Sequence, residues 1–255
     1  MESKSKPVII LIHGAWHSPD TWAKVKARLE AAGFEVYTPR LPTAVGPEPS
    51  NHSWRADVAA VHDVVIPLFR QGREAVIVGH SYGGIVATVA VEGQSVAERE
   101  SRGLRGGFGA IVYICAFALA QRGQCLALVL GGRYPEWIVA AEPFKNIPYS
   151  MKVAPGLERF YTDMAPDEAR EWKAALQYQS QRSFEEPVEF CANDIKIPMT
   201  YLLCDGDQAL PAQLQESMTA AVPALKTRHC TAGHSPFLSQ PDLTAEMILD
   251  AARAI

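Results

Sequence analysis

The 255-residue sequence lacks the features that mark several broad classes of protein. Its five cysteines are scattered and form no CxxC pair, so neither a disulfide framework nor a cysteine-based metal site is indicated. The formal net charge of -4 offers no strongly basic surface for nucleic-acid phosphates or anionic lipids. The N-terminal segment is polar, and the apolar run Val8–Ile12 that follows it is too short for a signal peptide or a membrane span. We therefore expect reduced thiols, a small-molecule partner, no nucleic-acid or membrane partner, and a cytoplasmic location.

Hydrophobic residues make up 48% of the chain, which is typical of a globular protein with a sizeable core. Short apolar runs alternate with segments of helical apolar spacing, a pattern that predicts a doubly wound, mostly parallel α/β sheet. The predicted strands are 7–12, 34–38, 74–79, 109–115, 199–204 and 226–230. The predicted helices are 22–32, 54–69, 84–96, 167–178, 211–221 and 241–255. The charged, glycine-rich stretch at 97–107 is predicted to be a solvated loop.

The alternation stops between about residues 117 and 191, where the sequence is irregular and rich in aromatic residues and proline. We predict that this segment is a lid inserted into a single α/β domain covering residues 1–255. Several aromatic residues could form an apolar pocket, although each also fits a core position. They are Trp137, Phe160, Tyr161 and Trp172 in the lid, and Trp16 and Phe237 outside it.

The segment Gly79-His80-Ser81-Tyr82-Gly83 is a GxSxG motif, and such a short motif indicates function only when it lies between a strand and a helix. A buried strand is predicted directly before it and a helix directly after it. Only such a sharp strand-to-helix turn projects the serine above the sheet, and small flanking residues permit the close backbone packing. We therefore predict that Ser81 is a nucleophile, against the alternative of an incidental serine in a glycine-rich turn.

A serine hydroxyl needs a neighbouring base, and the sequence contains seven histidines. When such a turn carries a Ser-His-acid triad, the acid and then the histidine follow the nucleophile along the chain, which leaves His229 and His234. His229 lies within a predicted strand, whereas His234 lies in the loop beyond it, at the sheet edge where α/β proteins place catalytic groups. His234 is therefore the predicted base.

The acid that orients the histidine should also follow a strand. The predicted strand 199–204 ends in Asp205-Gly206-Asp207, so two aspartates compete. Asp207 lies farther into the loop and is the favoured acid, while Asp205 would have a turn-forming role.

The loop His13-Gly14-Ala15-Trp16-His17 follows the first strand and should lie close to the nucleophile. An oxyanion hole needs two fixed donors, and the backbone N–H groups of Ala15 and Tyr82 are the predicted pair. His13 and His17 could suggest a zinc site, but the loop offers no partnered acid, so a hydrogen-bonding role is favoured for His13. No metal and no cofactor are predicted.

Together these residues resemble a family of cofactor-free α/β-hydrolases that contains plant methylesterases, hydroxynitrile lyases and salicylate-esterase-like microbial proteins. The resemblance spans nearly the whole chain. It is carried by residues 13–17, the motif extended to Gly84, Asp207 ahead of Pro211, and Gly233-His234. The resemblance implies an α/β-hydrolase fold and a catalytic triad at Ser81, Asp207 and His234.

Two departures from the hydroxynitrile lyases favour the esterase branch. The lyases carry a threonine after the oxyanion-loop histidine and a lysine after the catalytic histidine, where this sequence has Gly14 and Ser235. The resemblance therefore implies a serine hydrolase that cleaves a carboxylester or lactone of a small, largely apolar molecule. A lyase or carbon–carbon bond hydrolase on the same triad, and a non-catalytic receptor, are the alternatives. Monomer and homodimer both stay open.

Overall fold

A computed structural model describes residues 5–44, 50–140, 150–155 and 159–255. The nine strands of these residues are β1 Val8–Ile12, β2 Val36–Tyr37, β3 Glu74–His80, β4 Gly107–Ile114, β5 Ile138–Val139, β6 Ser150–Val153, β7 Gln179–Ser180, β8 Met199–Cys204 and β9 Leu225–Cys230. Six of them form a central parallel sheet in the order β2-β1-β3-β4-β8-β9. The other three, β5, β6 and β7, form a small antiparallel sheet. The six strands of the parallel sheet correspond to the six predicted strands.

Helices cover both faces of the parallel sheet, which explains why β1 and most of β3 are completely buried. The ten α-helices of the described residues are α1 Ala23–Ala31, α2 Trp54–Arg70, α3 Gly83–Ala90, α4 Val96–Glu100, α5 Leu126–Val129, α6 Pro166–Ala174, α7 Arg182–Glu185, α8 Ala212–Ala220, α9 Pro236–Ser239 and α10 Pro241–Arg253. No helix in this part of the chain is both long enough and apolar enough to cross a membrane.

The prediction of one helix over 84–96 is wrong, and the stretch at 97–107, predicted to be a solvated loop, begins as a short helix. Helix α3 ends at Ala90, and Gly93 adopts a left-handed backbone at φ 63° that a continuing helix does not permit. A second helix, α4, begins directly after Ser95. The side chains of Ser95 and Glu98 form a capping box at its N-terminus. The side chain of Arg99 is buried and donates to the carbonyls of residues 105 and 106. Residues 100–105 are exposed, so the remainder of the stretch is solvated as predicted, and only the Arg99 side chain is buried.

The predicted lid, 117–191, lies between β4 and β8, and parts of it at 141–149 and 156–158 are outside the described residues. It contains the small antiparallel sheet and helices α5 to α7. Its described part is joined to the body by hydrogen bonds that include Ser180 N–H to the Thr43 carbonyl at 2.8 Å and Trp54 Nε1–H to the Glu186 carbonyl at 2.9 Å. The body and this segment therefore share polar contacts as well as apolar ones.

Replacing Gly83 with alanine should destabilise the protein, although alanine favours helices. A Cβ at this position would lie 2.6 Å from the His13 carbonyl oxygen and 2.7 Å from that of Ile12, so α3 would have to move away from β1. We expect a loss of about 1–3 kcal/mol in the free energy of unfolding, measured by urea denaturation. A Gly83→Ala protein at least as stable as the wild type would contradict this close packing.

Candidate active site

Ser81 occupies the turn between β3 and α3 and has a left-handed backbone at φ 52°. Its carbonyl oxygen accepts hydrogen bonds from the N–H groups of Gly84 and Phe117, both at 3.0 Å, which hold this strained conformation in place. A Cβ at Gly79 would lie 2.6 Å from the Gly83 carbonyl oxygen, so a larger residue would force the turn open. The sequence motif therefore forms the sharp turn that it predicts.

Asp207 and His234 form a buried pair in the loops that follow β8 and β9. His234 Nδ1–H donates to Asp207 Oδ2 at 2.7 Å. The other carboxylate oxygen accepts the N–H groups of Ala209 and Leu210, both at 2.8 Å, and Gln215 Nε2 on α8 donates to Oδ2 at 3.3 Å. Because Nδ1 carries the donated proton, a neutral His234 ring has its free lone pair on Nε2.

The competing residues form a separate pair at the surface. His229 Nδ1 lies 2.9 Å from Asp205 Oδ1, and the two side chains are 52% and 49% exposed. Neither residue lines the cavity that contains Ser81. The structure thus brings Asp207, and not Asp205, to His234.

Ser81 and His234 line one cavity. The two side chains share no hydrogen bond among the described residues. Every other lining residue is apolar: Trp16, Phe117, Leu126, Leu130, Trp137, Ile138, Phe160, Phe184, Ala209 and Leu210. The serine hydroxyl and the imidazole are therefore the polar side-chain groups at this cavity.

The backbone and ring of His234 are held by its neighbours. Its carbonyl oxygen accepts hydrogen bonds from His80 Nε2–H at 2.9 Å and from the Cys115 thiol at 3.3 Å. The Phe160 ring stacks on the imidazole with centroids 5.4 Å apart. The side chains of His80, Cys115 and His234 lie close enough together to resemble a metal site. The hydrogen bonds from His80 and Cys115 to the His234 carbonyl oxygen account for this proximity.

The loop after β1 contains two buried histidines whose protons are fixed by backbone carbonyls. His13 Nδ1–H donates to the Gly14 carbonyl at 2.9 Å, and His17 Nδ1–H donates to the Ala15 carbonyl at 2.7 Å. Their Nε2 atoms accept from the Leu41 N–H at 3.3 Å and the Tyr161 hydroxyl at 2.9 Å. Burial lowers the pKa of His13 to about 4 and that of His17 to about 3, so both rings are neutral at pH 7.

The two N–H groups predicted to form an oxyanion hole belong to this loop and to the turn at Ser81. In the portion of the chain that the structure describes, neither the Ala15 N–H nor the Tyr82 N–H donates a hydrogen bond. Buried backbone donors are nearly always paired, so these two unpaired N–H groups, one of them on the residue after Ser81, are available to a ligand oxygen.

Sequence reasoning missed a buried carboxylate beside the turn. Asp57 on α2 accepts hydrogen bonds from the Thr43 N–H at 3.0 Å, the Thr43 hydroxyl at 2.6 Å and the Tyr82 hydroxyl at 2.5 Å. Burial raises its pKa to about 6 against the effect of these donors. The helical spacing of α2 carried a signal, because it places Asp57 on the apolar face with Trp54 and Val61.

The aromatic residues expected at a pocket divide into two groups. Trp16, Trp137 and Phe160 line the cavity, together with Phe184, which was not predicted. Of the others, Phe237 packs against Trp22 and His80, Tyr161 bonds His17, and Trp172 packs on the core.

A family model described as the alpha/beta hydrolase family matches residues 9–247. The chain therefore belongs to the α/β-hydrolase family, and the predicted fold class is confirmed. A similar protein is alpha/beta hydrolase nvfD of Aspergillus novofumigatus, 31% identical over 252 residues that cover 97% of each chain.

Two further similarities agree with the predicted group. Methylesterase 7 of Arabidopsis thaliana is 23% identical over 274 residues, which cover 99% of this chain and 98% of that protein. The solved structure of polyneuridine aldehyde esterase has a TM-score of 0.77 at 20% identity, covering 96% of this chain and 99% of that chain. At this identity the structural likeness shows the fold alone. The resemblance to the methylesterase group is confirmed, and esterase-like relatives support ester hydrolysis.

Because burial keeps His13 and His17 neutral in the folded protein, we expect the free energy of unfolding to decrease in mild acid. In the unfolded chain His13 and His17 bind a proton below about pH 6.5, whereas in the folded protein they do so only below about pH 4 and pH 3. The free energy of unfolding should therefore decrease as pH falls through this interval. Each ring contributes a limiting slope of about 1.4 kcal/mol per pH unit. Asp57, with its raised pKa, contributes the opposite slope between about pH 4 and 6 and offsets part of the loss.

We expect His17→Gln to lose less stability than the wild type between pH 7 and pH 5, because glutamine does not titrate. Urea denaturation at both pH values measures the two differences. Equal losses in the two proteins would show that the His17 ring is not held neutral.

Proposed function

We propose that this α/β-hydrolase is a serine hydrolase that cleaves a carboxylester or lactone of a small, largely apolar molecule. The observation that carries the proposal is the convergence of Ser81 and the buried Asp207–His234 pair on one apolar cavity. Relatives named as an α/β-hydrolase and a methylesterase support the same reaction class.

The proposed mechanism begins with attack of Ser81 Oγ on the acyl carbonyl carbon. His234 Nε2 accepts the hydroxyl proton, and the Asp207 carboxylate stabilises the imidazolium through Nδ1–H. The unpaired N–H groups of Ala15 and Tyr82 hold the oxyanion of the tetrahedral intermediate. Protonation of the leaving alkoxide by His234 gives the acyl-enzyme. Water, deprotonated by His234, then releases the acid and regenerates Ser81.

The cavity lining also favours ester cleavage over hydroxynitrile cleavage. Cyanide leaves as an anion, and a lyase gains from a cation beside the catalytic histidine. Ser235 follows His234 here, and the described lining residues include neither lysine nor arginine. An apolar cavity without a cation fits a neutral ester, whose developing charge is carried by backbone donors.

A fluorophosphonate probe should label Ser81, and Ser81→Ala should lose both labelling and turnover of short p-nitrophenyl esters. The reason is that the hydroxyl is the only proposed nucleophile. Mass spectrometry of the labelled peptide locates the adduct, and a series of esters with graded acyl length measures turnover. Labelling at another serine, or an active Ser81→Ala protein, would refute the proposal.

Mandelonitrile serves as the comparison substrate in the same assays, after subtraction of its uncatalysed decomposition. Benzaldehyde release that exceeds ester turnover and disappears in Ser81→Ala would assign the lyase reaction instead. A folded protein without labelling or turnover would favour the receptor alternative.

Asp207→Asn and Asp205→Asn form a matched pair that tests the acid. Asp207→Asn should lower kcat by about 10⁴-fold, because an amide neither orients nor stabilises the imidazolium as a carboxylate does. Asp205→Asn should change kcat by less than about twofold, since its partner is the exposed His229. Reversed effects would transfer the role of the acid to Asp205.

A further inference from the structure

Trp16, which directly follows Ala15, has a left-handed backbone that segments of the predicted lid hold in place. Its φ is 63°, a conformation that costs a residue with a side chain free energy. Its N–H donates to Gln179 Oε1 at 3.3 Å, its carbonyl accepts from the Gln177 N–H at 2.7 Å, and its indole N–H donates to the Met151 carbonyl at 3.1 Å. These three contacts therefore hold the loop that contains Ala15, in addition to the hydrogen bonds of His13 and His17.

Both polar atoms of the Gln179 side-chain amide form hydrogen bonds. The residue is completely buried on β7. While Oε1 accepts from Trp16, Nε2 donates to Thr43 Oγ1 at 3.0 Å and to Ser183 Oγ at 2.7 Å. A buried amide with both its oxygen and its two hydrogens paired has a fixed orientation, since any flip would place donors against donors.

The hydrogen bonds continue from Thr43 to the turn at Ser81. The Thr43 hydroxyl accepts from Gln179 and donates to Asp57 Oδ2 at 2.6 Å, and the Tyr82 hydroxyl donates to the same oxygen at 2.5 Å. Every donor in this series, from the Trp16 N–H to the Tyr82 hydroxyl, therefore has an acceptor. The chain of bonds joins Trp16, which directly follows the proposed donor Ala15, to Tyr82, which carries the other proposed donor, although the two residues lie on different elements.

We propose that Gln179 is a positioning residue: its amide holds the Trp16 backbone and Thr43 so that the Ala15 and Tyr82 N–H groups face one substrate oxygen. The proposal rests on the proposed function, because it concerns the oxyanion hole of that reaction. Gln179 does not contact the reacting atoms. Its effect passes through Trp16 on one side and through Thr43, Asp57 and Tyr82 on the other.

Gln179→Met tests the proposal, because methionine has a similar length and no amide. The matched control is Asn193→Leu, which removes an amide that bonds the Ala120 and Ala221 carbonyls and, among the described residues, no group of the loop 13–18 or of the turn at Ser81. Hydrogen exchange measured by mass spectrometry needs no turnover. The peptide that contains residues 13–18 should exchange at least about fivefold faster in Gln179→Met and at the wild-type rate in Asn193→Leu.

Kinetics separate positioning from a general loss of structure. Gln179→Met should lower kcat for a p-nitrophenyl ester by about tenfold or more with little change in KM, because the oxyanion forms only after attack. The inhibition constant of a trifluoromethyl ketone, whose hemiketal adduct carries an oxyanion, should rise by a similar factor. Asn193→Leu should leave both values unchanged.

Two results would overturn the proposal: unchanged exchange in residues 13–18, or faster exchange with wild-type inhibition by the trifluoromethyl ketone. If Gln179→Met does not fold, Gln179→Glu provides the second variant. It keeps an acceptor for the Trp16 N–H and removes the amide donors, and its expected changes have the same direction. Ester turnover by Ser81→Ala would refute the proposed function separately, while the exchange result would still report whether Gln179 holds the loop.

Discussion

The fold around Ser81 depends on the close approach of three backbone segments at the turn between β3 and α3. A Cβ at Gly79 would meet the Gly83 carbonyl at 2.6 Å, and one at Gly14 would meet the His80 ring at 2.7 Å. Such distances leave no room for side chains, so the turn, the end of β1 and the loop behind it must move together. The strained φ of Ser81 is tolerated because this packing permits no relaxed alternative.

Hydrogen bonding assigns different chemical roles to the buried histidines of this region. His13, His17 and His80 each donate a ring proton to a backbone carbonyl, and burial lowers their pKa, so they act as neutral hydrogen-bonding groups. His234 instead donates to the Asp207 carboxylate. A carboxylate stabilises an imidazolium and a carbonyl does so far less, which suits His234 for accepting a proton.

The sequence predicted those parts of the molecule that local patterns encode. Strand β3, the turn at Ser81 and the loop with His234 follow from apolar runs and glycine spacing within a few residues. The break between α3 and α4 was missed because apolar spacing continues past Ala90 and outweighed Gly93 in the prediction. Gln179 was missed for a different reason: its partner Thr43 lies 136 residues away, and no local period marks such a contact.

Polar groups around the cavity restrict what a ligand must offer. Most buried polar groups here are paired within the protein, as the bonds of Asp207 and Gln179 illustrate. The Ser81 hydroxyl and the Ala15 and Tyr82 N–H groups have no hydrogen bond among the described residues. For the proposed reaction, a molecule that fits them needs an electrophilic carbon beside one acceptor oxygen, with apolar groups elsewhere. An ester carbonyl has this arrangement, and a charged ligand would lose its hydration against aromatic walls without gaining a counter-ion.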